Sequence, residues 1–191
     1  MITVEQLVSI DGFAAERDGG LRFVEATHPG VEPPDRGQLE LLASVGAIVL
    51  GRRTYEMFAG YWPTVDPGTE PVAEPIARLP KLVVSATLDR APWGDGEIEV
   101  VRPRPSAVEA VREVARRHGS VIVWGSLMLT DALLAAGAVD RLRLRTCPAL
   151  VGAGRRLAPS DLGMRLMRLG SVEALPTGHV VSEYLPDPVR R

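Results

Sequence analysis

Short apolar runs recur along the chain and predict strands that are covered on both faces. The clearest of these runs, all rich in Val or Ile, lie at 47–50, 82–84 and 121–124. Continuous rather than alternating hydrophobicity is typical of parallel sheets, because helices cover both faces of such sheets. The segment at 2–10 predicts a first strand that leads into the turn dipeptide Asp11-Gly12.

Helical patterns lie between the predicted strands. The sharpest begins at Ser106, with Glu109 three residues later. This capping-box spacing satisfies amide groups of the first helical turn. Basic residues then precede Gly119, where we expect the helix to end. Further helices are predicted at 38–45, 53–59 and 127–136.

Strands that alternate with helices predict an α/β fold, with a mixed, mostly parallel sheet flanked by helices. The runs at 165–175 and 179–185 surround a Pro-Thr-Gly turn and predict a C-terminal antiparallel hairpin. We therefore expect a single domain over 1–185, followed by a frayed tail over 186–191.

One predicted strand after residue 138 has an alternating rather than a continuous apolar pattern. Arg141, Arg143 and Arg145 alternate with Leu142 and Leu144, a pattern typical of a strand with one wet face. The three arginines predict a solvated face, with a dimer contact as the alternative.

Composition excludes several classes of function. The 22 Lys and Arg residues against 24 Asp and Glu residues give a net charge of −2, so no basic surface for nucleic acid is expected. No apolar run approaches the ~18 residues that cross a bilayer, and the N-terminus lacks the basic flank of a secretory signal. We expect a soluble, cytoplasmic protein. The single cysteine, Cys147, excludes a disulfide framework and predicts a small buried side chain, and the three dispersed histidines predict no metal site.

Candidate ligand residues follow the apolar strands, since ligands of parallel-sheet proteins bind beyond the carboxyl ends of strands. After the strand at 47–50, Gly51 permits close backbone approach, Arg52 or Arg53 offers a guanidinium to a phosphate, and Thr54 offers a hydroxyl near a helix start. The alternative is a strand-ending glycine followed by solvated arginines.

Two further strand ends carry hydroxyl groups. Ser85 and Thr87 suit a ribose or a phosphate, but they equally suit hydrogen bonds within their own turn. Gly125 and Ser126 lead into the helix that we expect from Leu127, and a glycine before a helix start suits a pyrophosphate. Ser126 as a simple N-cap is the alternative. Together the three junctions predict one cleft for an anionic nucleotide.

Four segments of the chain occur in a recognisable order: Ser9-Ile10-Asp11-Gly12-Phe13, Gly51-Arg52-Arg53-Thr54-Tyr55-Glu56, Ser85-Ala86-Thr87-Leu88 and Trp124-Gly125-Ser126. In order and spacing they resemble the dihydrofolate reductase-like superfamily. The resemblance is closest to its riboflavin-biosynthesis reductase branch, the family of the C-terminal domain of the bifunctional deaminase-reductase, and extends from residue 1 to about 185. It implies an NADPH-binding domain, usually a homodimer. Because the zinc deaminase motif is absent, we expect a stand-alone reductase-like domain.

The resemblance implies roles for the residues at the three junctions. It places Arg52 near the adenosine 2′-phosphate of NADPH and Ser85 near the adenosine ribose. The other cofactor-binding residues that it implies are Gly51, Thr54, Gly125, Ser126 and Leu127. The wider superfamily carries a Gly-Gly pair with a cis peptide at the third junction, so the resemblance implies a cis or strained Trp124–Gly125 bond. Glu5 stands where the riboflavin-pathway members tend to carry lysine.

The expected activity is NADPH-dependent hydride transfer to a small polar heterocyclic or conjugated substrate. The alternative is a non-catalytic domain that binds or senses NADP(H) or a flavin, with FMN as the alternative cofactor. Asp11 is the candidate for orienting the substrate or relaying a proton, unless its carboxylate only caps its own turn. Trp62 is the candidate apolar wall on the substrate side, unless it is a surface aromatic anchored on the core.

Overall fold

The computed structural model describes residues 1–28 and 36–187. Its strands are β1 Ile2–Ser9, β2 Phe13–Glu16, β3 Ala47–Gly51, β4 Lys81–Val84, β5 Pro92–Trp93, β6 Gly96–Glu97, β7 Glu99–Val101, β8 Val121–Trp124, β9 Arg141–Cys147, β10 Gly154–Arg156, β11 Met167–Ala174 and β12 Val180–Pro186. Its α-helices are α1 Arg22–Thr27, α2 Arg36–Ser44, α3 Arg52–Tyr61, α4 Ala73–Arg78, α5 Ala107–His118 and α6 Leu127–Ala135.

An eight-stranded sheet organises the described residues, in the order β11-β12-β9-β1-β8-β3-β4-β7. The six strands from β9 to β7 pair in parallel, whereas β12 is antiparallel to both β9 and β11. The C-terminal hairpin thus extends one edge of a parallel sheet, and the predicted mixed, mostly parallel architecture is confirmed.

Helices cover both faces of this sheet, because successive strand residues point to opposite sides. Val121 and Val123 of β8 join the core beneath α5 and α6. Ile122 and Trp124 of the same strand join the core beneath α2, α3 and α4. The continuous apolar runs of the sequence are therefore explained by burial on both faces, as predicted.

The predicted helix ends are formed by the expected residues. The Oγ of Ser106 accepts a hydrogen bond from the Glu109 N–H at 3.2 Å, and α5 ends at Gly119, whose φ is +81°. Gly137 closes α6 with a φ of +59° and donates its N–H to Leu134 O at 3.1 Å.

The predicted wet face of β9 is wrong at Arg143. This residue is 1% exposed, and its Nη1 lies 2.8 Å from Oε2 of Glu5 on β1. It also donates to Gln38 Oε1 of α2, and its Nε lies 3.5 Å from Glu183 Oε1 of β12. α2 covers this face, so neighbouring charges rather than water compensate the buried guanidinium.

Three smaller expectations concern Cys147, membrane-spanning segments and the end of the chain. Cys147 is buried, as predicted. Among residues 1–28 and 36–187, no helix is both long and apolar enough to cross a membrane. β12 ends at Pro186, next to the predicted domain boundary. Residues 188–191 of the expected frayed tail lie outside the described residues, and the single domain over 1–185 stays a prediction.

Candidate functional site

The predicted ligand residues follow three neighbouring parallel strands, β8, β3 and β4. Because parallel strands end at the same edge of a sheet, Ser126, Thr54 and Ser85 lie at one edge. α3 begins directly after Gly51, and α6 begins directly after Ser126. The N-termini of two helices therefore meet where the sequence predicted a nucleotide cleft.

Two hydrogen bonds join the starts of α3 and α6. The Gly51 N–H donates to Ser126 Oγ at 2.6 Å, and the Ser126 N–H donates to Thr54 Oγ1 at 2.8 Å. The Ser126 hydroxyl also donates to Trp124 O at 2.9 Å. Ser126 thus bridges two helices instead of capping its own, and neither helix has a side-chain cap. Uncapped first turns present amide N–H groups to an anion, so this bridge favours the ligand-binding interpretation of Ser126.

The backbone before α6 is held in a sparsely populated conformation. Gly125 and Ser126 both have a φ of +57°, a left-handed conformation that costs a non-glycine residue roughly 1–2 kcal/mol. The Gly125 N–H donates to Glu5 O at 3.1 Å, and the Gln6 side chain donates to Gly125 O. In the described part of the chain the cis bond is Arg104–Pro105, so the cis bond expected before Gly125 is not formed. Two positive φ angles make this turn instead.

Arg52 connects the end of β3 with the turn that follows β4. Its Nε donates to Glu56 Oε1 at 2.9 Å, and its Nη1 donates to Thr87 Oγ1 at 3.2 Å. The guanidinium, about half exposed, therefore lies across the ends of β3 and β4. Arg53 is exposed and forms no ion pair with the residues that the structure describes.

Ser85 satisfies its own turn, as one of the two interpretations predicted. Its Oγ accepts the N–H groups of Thr87 at 3.2 Å and Leu88 at 3.1 Å, and the hydroxyl hydrogen is left to donate. Arg102, which follows β7, donates to Ser85 O at 3.2 Å and to Asp89 at 2.9 Å. Arg102 carries no sequence signal for this position, because no glycine or hydroxyl pattern marks the end of β7.

Asp11 holds a loop through both carboxylate oxygens. Its Oδ1 accepts the Ser9 hydroxyl at 2.6 Å and the Val151 N–H at 3.1 Å, and its Oδ2 accepts the Gly152 N–H at 2.7 Å. The Ser9 hydrogen bond, followed by the backbone hydrogen bonds, lowers the pKa of Asp11 to about 2. At neutral pH this carboxylate has no proton to relay. The geometry assigns it to positioning the loop at 149–153, and substrate orientation stays a prediction.

We expect Asp11→Asn to reduce the acid sensitivity of this loop. The pKa of Asp11 is lowered from 3.8 to about 2, so the stabilisation from its ionised form is complete above about pH 4 and is lost as the pH falls toward 2. The protection factors of the Val151 and Gly152 amides, which correct for the pH dependence of intrinsic exchange, should therefore fall across this window in the wild type. In Asp11→Asn the protection factors should already be low at pH 5 and change little below it. A wild-type-like pH profile in the variant would contradict the assignment.

Trp62 lies in a single 3-10 turn, Trp62–Thr64, directly after α3. Its ring packs edge-to-face on Phe58 at 5.9 Å, and Phe58 packs in the same way on Trp124 at 5.5 Å. Trp62 is thus anchored on the core, and this aromatic row leads to the residue before Gly125. Its role as a wall of the substrate pocket stays a prediction.

A second, two-stranded sheet flanks the carboxyl end of β1. In it β2 pairs with β10, and the Arg156 guanidinium lies 4.6 Å from the centre of the Phe13 ring. Arg155 of β10 forms an ion pair with Asp131 of α6. The loops beyond β1 and β9 are therefore attached to the same helix whose N-terminus forms the candidate anion site.

Comparisons with known proteins identify relatives of this chain by sequence and by fold. The curated protein YyaP of Bacillus subtilis (strain 168), described as uncharacterized, is 26% identical over 160 residues, which span 82% of this chain and 79% of that protein. A putative riboflavin biosynthesis protein from Shewanella sp. PV-4 has a similar structure, with a TM-score of 0.74 and 19% identity over 97% of this chain and 98% of that one. A dihydrofolate reductase from Enterococcus faecalis, solved with NADP(H) and RAB-propyl, aligns with a TM-score of 0.57 and 14% identity over 98% and 96% of the two chains.

The neighbours show a dihydrofolate reductase-like fold, as the four sequence segments predicted. The family assignment comes from the sequence itself, because the model of the RibD C-terminal domain matches residues 1–181, almost the whole chain. This protein belongs to the RibD C-terminal domain family.

Proposed function

We propose that this protein is an NADPH-dependent reductase that transfers a hydride to a small polar heterocyclic or conjugated substrate. One observation carries the proposal: two helices without side-chain caps begin in hydrogen-bond contact, through Ser126 with Gly51 and Thr54. Such a pair of N-termini suits a pyrophosphate, and the family is reductase-like. When bound, NADPH supplies the hydride, and the protein supplies binding and orientation.

The glycines of the site permit the close contact between the starts of α3 and α6. A Cβ atom on Gly51 would lie 3.3 Å from Ser126 Oγ, and one on Gly125 would lie 3.0 Å from Thr54 Cγ2. The glycine backbones therefore lie closer to the Ser126 and Thr54 side chains than larger residues allow. In our proposal Gly125, Ser126 and the Leu127 amide hold the pyrophosphate, and Gly51 and Thr54 adjoin it.

The adenosine half of NADPH would lie toward β4. There Ser85 keeps a hydroxyl hydrogen to donate, and the Arg52 guanidinium lies across the strand ends. Arg102, beside Ser85, adds a second guanidinium at this end. Guanidinium groups bind phosphates with charge-assisted hydrogen bonds, so this end of the cleft suits a 2′-phosphate.

We expect Arg52→Ala to weaken NADPH binding ten- to a hundredfold and to change NADH binding less than threefold. The reason is that only NADPH carries the 2′-phosphate, and a hydrogen bond between charged groups contributes about 1.5–3 kcal/mol. Fluorescence titration of both cofactors measures the difference. Arg53→Ala, a change in the adjacent arginine, is the matched control and should leave the preference for NADPH in place. Equal losses for NADPH and NADH in Arg52→Ala would give Arg52 another role.

A non-catalytic domain that binds NADP(H) or FMN is the second candidate. It is favoured by Asp11, the candidate proton relay, whose pKa of about 2 leaves it without a proton. Oxidation of NADPH with pterins, flavin precursors or small conjugated carbonyl compounds distinguishes the two candidates. Turnover with any of them establishes the reductase, whereas binding of NADPH without turnover supports the sensor. A flavin absorption spectrum in the purified protein would indicate FMN.

We extend the proposal to a cytoplasmic homodimer that acts on a small molecule. β11 is an edge strand on which Leu169 and Val172 are half or more exposed, and such edges are normally covered. The net charge of −2 supports a role without nucleic acid.

A further inference from the structure

The peptide group between Gly125 and Ser126 is held from both sides. Its carbonyl oxygen accepts hydrogen bonds from the Gln6 side-chain amide and from the Thr130 hydroxyl, the latter at 3.2 Å. Its N–H donates to Thr54 Oγ1 at 2.8 Å. Since the C=O and N–H of a trans peptide point in opposite directions, side chains of β1 and α6 hold one side of this group and α3 holds the other.

Gln6 and Thr130 are both committed to this carbonyl. The Gln6 amide nitrogen also donates to Thr130 Oγ1 at 2.6 Å, so the hydroxyl accepts from Gln6 and donates to Gly125. Because a carbonyl oxygen can only accept, this arrangement fixes which end of the Gln6 amide faces Gly125. Gln6 is 2% exposed and Thr130 is 0% exposed, so little water reaches these hydrogen bonds.

The opposite orientation of this peptide group would relieve backbone strain. Ser126 has a φ of +57°, and reversing the peptide would return that angle to the negative values that non-glycine residues prefer. Strained conformations of this kind persist where the surrounding structure determines them. The reversed carbonyl would point toward Thr54 and the start of α3, and it would bring a partial negative charge to the candidate anion site. The hydrogen bonds of Gln6 and Thr130 oppose this reversal.

We propose that Gln6 and Thr130 are positioning residues that keep the N-terminus of α6 open to the phosphate groups of the nucleotide. They act through the Gly125 carbonyl rather than by contact with the ligand. Because they hold the strained turn before the ligand arrives, binding does not have to turn the peptide. The inference rests on the proposed function for the identity of the ligand, and it adds to the site two buried side chains that no sequence pattern marked.

Thr130→Val tests this inference, because valine has nearly the shape of threonine but lacks the hydroxyl. We expect it to weaken the binding of inorganic pyrophosphate and of NADPH about tenfold, measured by calorimetric titration. Thr130→Ser keeps the hydroxyl and should bind both within twofold of the wild type. Thr3→Val is the matched control and should also stay within twofold. Thr3 of β1 is as buried as Thr130, but in the described part of the chain its hydroxyl has no hydrogen-bond partner.

Hydrogen exchange of the unliganded protein separates a positioning role from a merely structural one. The protection factor of the Ser126 amide, which donates to Thr54, should fall about tenfold in Thr130→Val and in Gln6→Leu. The amides of β4, two strands away from β8 in the sheet, should keep their protection. Thr130→Ser should restore the protection of Ser126.

Three results would overturn the inference. Unchanged protection of Ser126 in Thr130→Val shows that the hydroxyl does not hold the turn. Equal loss of protection at Ser126 and in β4 shows a structural role only. Affinities in Thr130→Ser as low as in Thr130→Val show that binding does not depend on the hydroxyl.

The proposed function fails separately from this inference. A wild-type protein that binds pyrophosphate but not NADPH refutes the reductase. If the Ser126 amide then still responds to Thr130→Val as expected, the positioning role at an anion site stands. A wild-type protein that binds neither ligand refutes both.

Discussion

Gly125→Ala is expected to weaken NADPH binding about a hundredfold. The new Cβ atom would lie 3.0 Å from Thr54 Cγ2 and 3.1 Å from Thr54 Oγ1, closer than side chains normally pack. Thr54 must then move, and the 2.8 Å hydrogen bond from the Ser126 N–H to its hydroxyl is lost. Since this bond aligns the N-termini of α3 and α6, both sets of amide donors turn away from the pyrophosphate. Titration of the intrinsic fluorescence with NADPH measures the loss.

Gly137→Ala is the matched control for this change. Gly137 has a φ of +59°, almost the same as Gly125, but a Cβ atom there would meet nothing within 4 Å. Both variants carry the strain of a left-handed alanine, about 1–2 kcal/mol, so both should lose some stability. Only Gly125→Ala should lose cofactor affinity. Equal NADPH affinities in the two variants would show that the close approach to Thr54 is not needed for binding.

Arg143→Met is expected to lower the free energy of unfolding by about 3–5 kcal/mol, because it removes the guanidinium that pairs with the buried Glu5 carboxylate. The side chains of Glu5 and Arg143 are 3% and 2% exposed, so water cannot replace the lost partner. For a chain of this length, the loss corresponds to a fall in melting temperature of about 10 °C. Urea unfolding and calorimetry measure the two quantities.

The double variant Glu5→Gln with Arg143→Met is the control for the charge. It also removes the buried carboxylate that pairs with Arg143, so it should recover more than half of the stability that Arg143→Met loses. Glu183, a second carboxylate near Arg143, is partly exposed and retains water. A double variant no more stable than the single one would attribute the loss to packing rather than to charge.

Sequence patterns predicted the sheet well because its signal is local. Strands β3, β4 and β8 each contain a continuous apolar run, and both ends of α5 carry a marker, Ser106 and Gly119. Arg143 is a residue whose burial such local patterns did not predict. An alternating strand reveals that one face is polar, but it does not reveal whether water or a helix covers that face. The counter-charge at Glu5 is 138 residues away and carries no pattern that links it to Arg143.

The candidate site was predictable to the same extent. The order of glycines and hydroxyls after parallel strands was enough to bring Thr54 and Ser126 to one edge. The hydrogen bond between them, and the bridging rather than capping role of Ser126, depend on a positive φ at Ser126 that residue preference does not indicate. Asp11 was a candidate for substrate orientation or proton relay on sequence alone. Its partners at Val151 and Gly152 are backbone amides, and no sequence pattern marks such partners.

The buried pair of Glu5 and Arg143 constrains how this lineage diverges from its relatives. A lysine at position 5 would place an ammonium group beside the Arg143 guanidinium, where both side chains are buried. Two adjacent cations in that environment would repel strongly, so a basic residue at position 5 requires a different residue at position 143. Homologues with a basic residue at the first position should accordingly carry a neutral or acidic one at the second, and the two sites should covary across an alignment of the family.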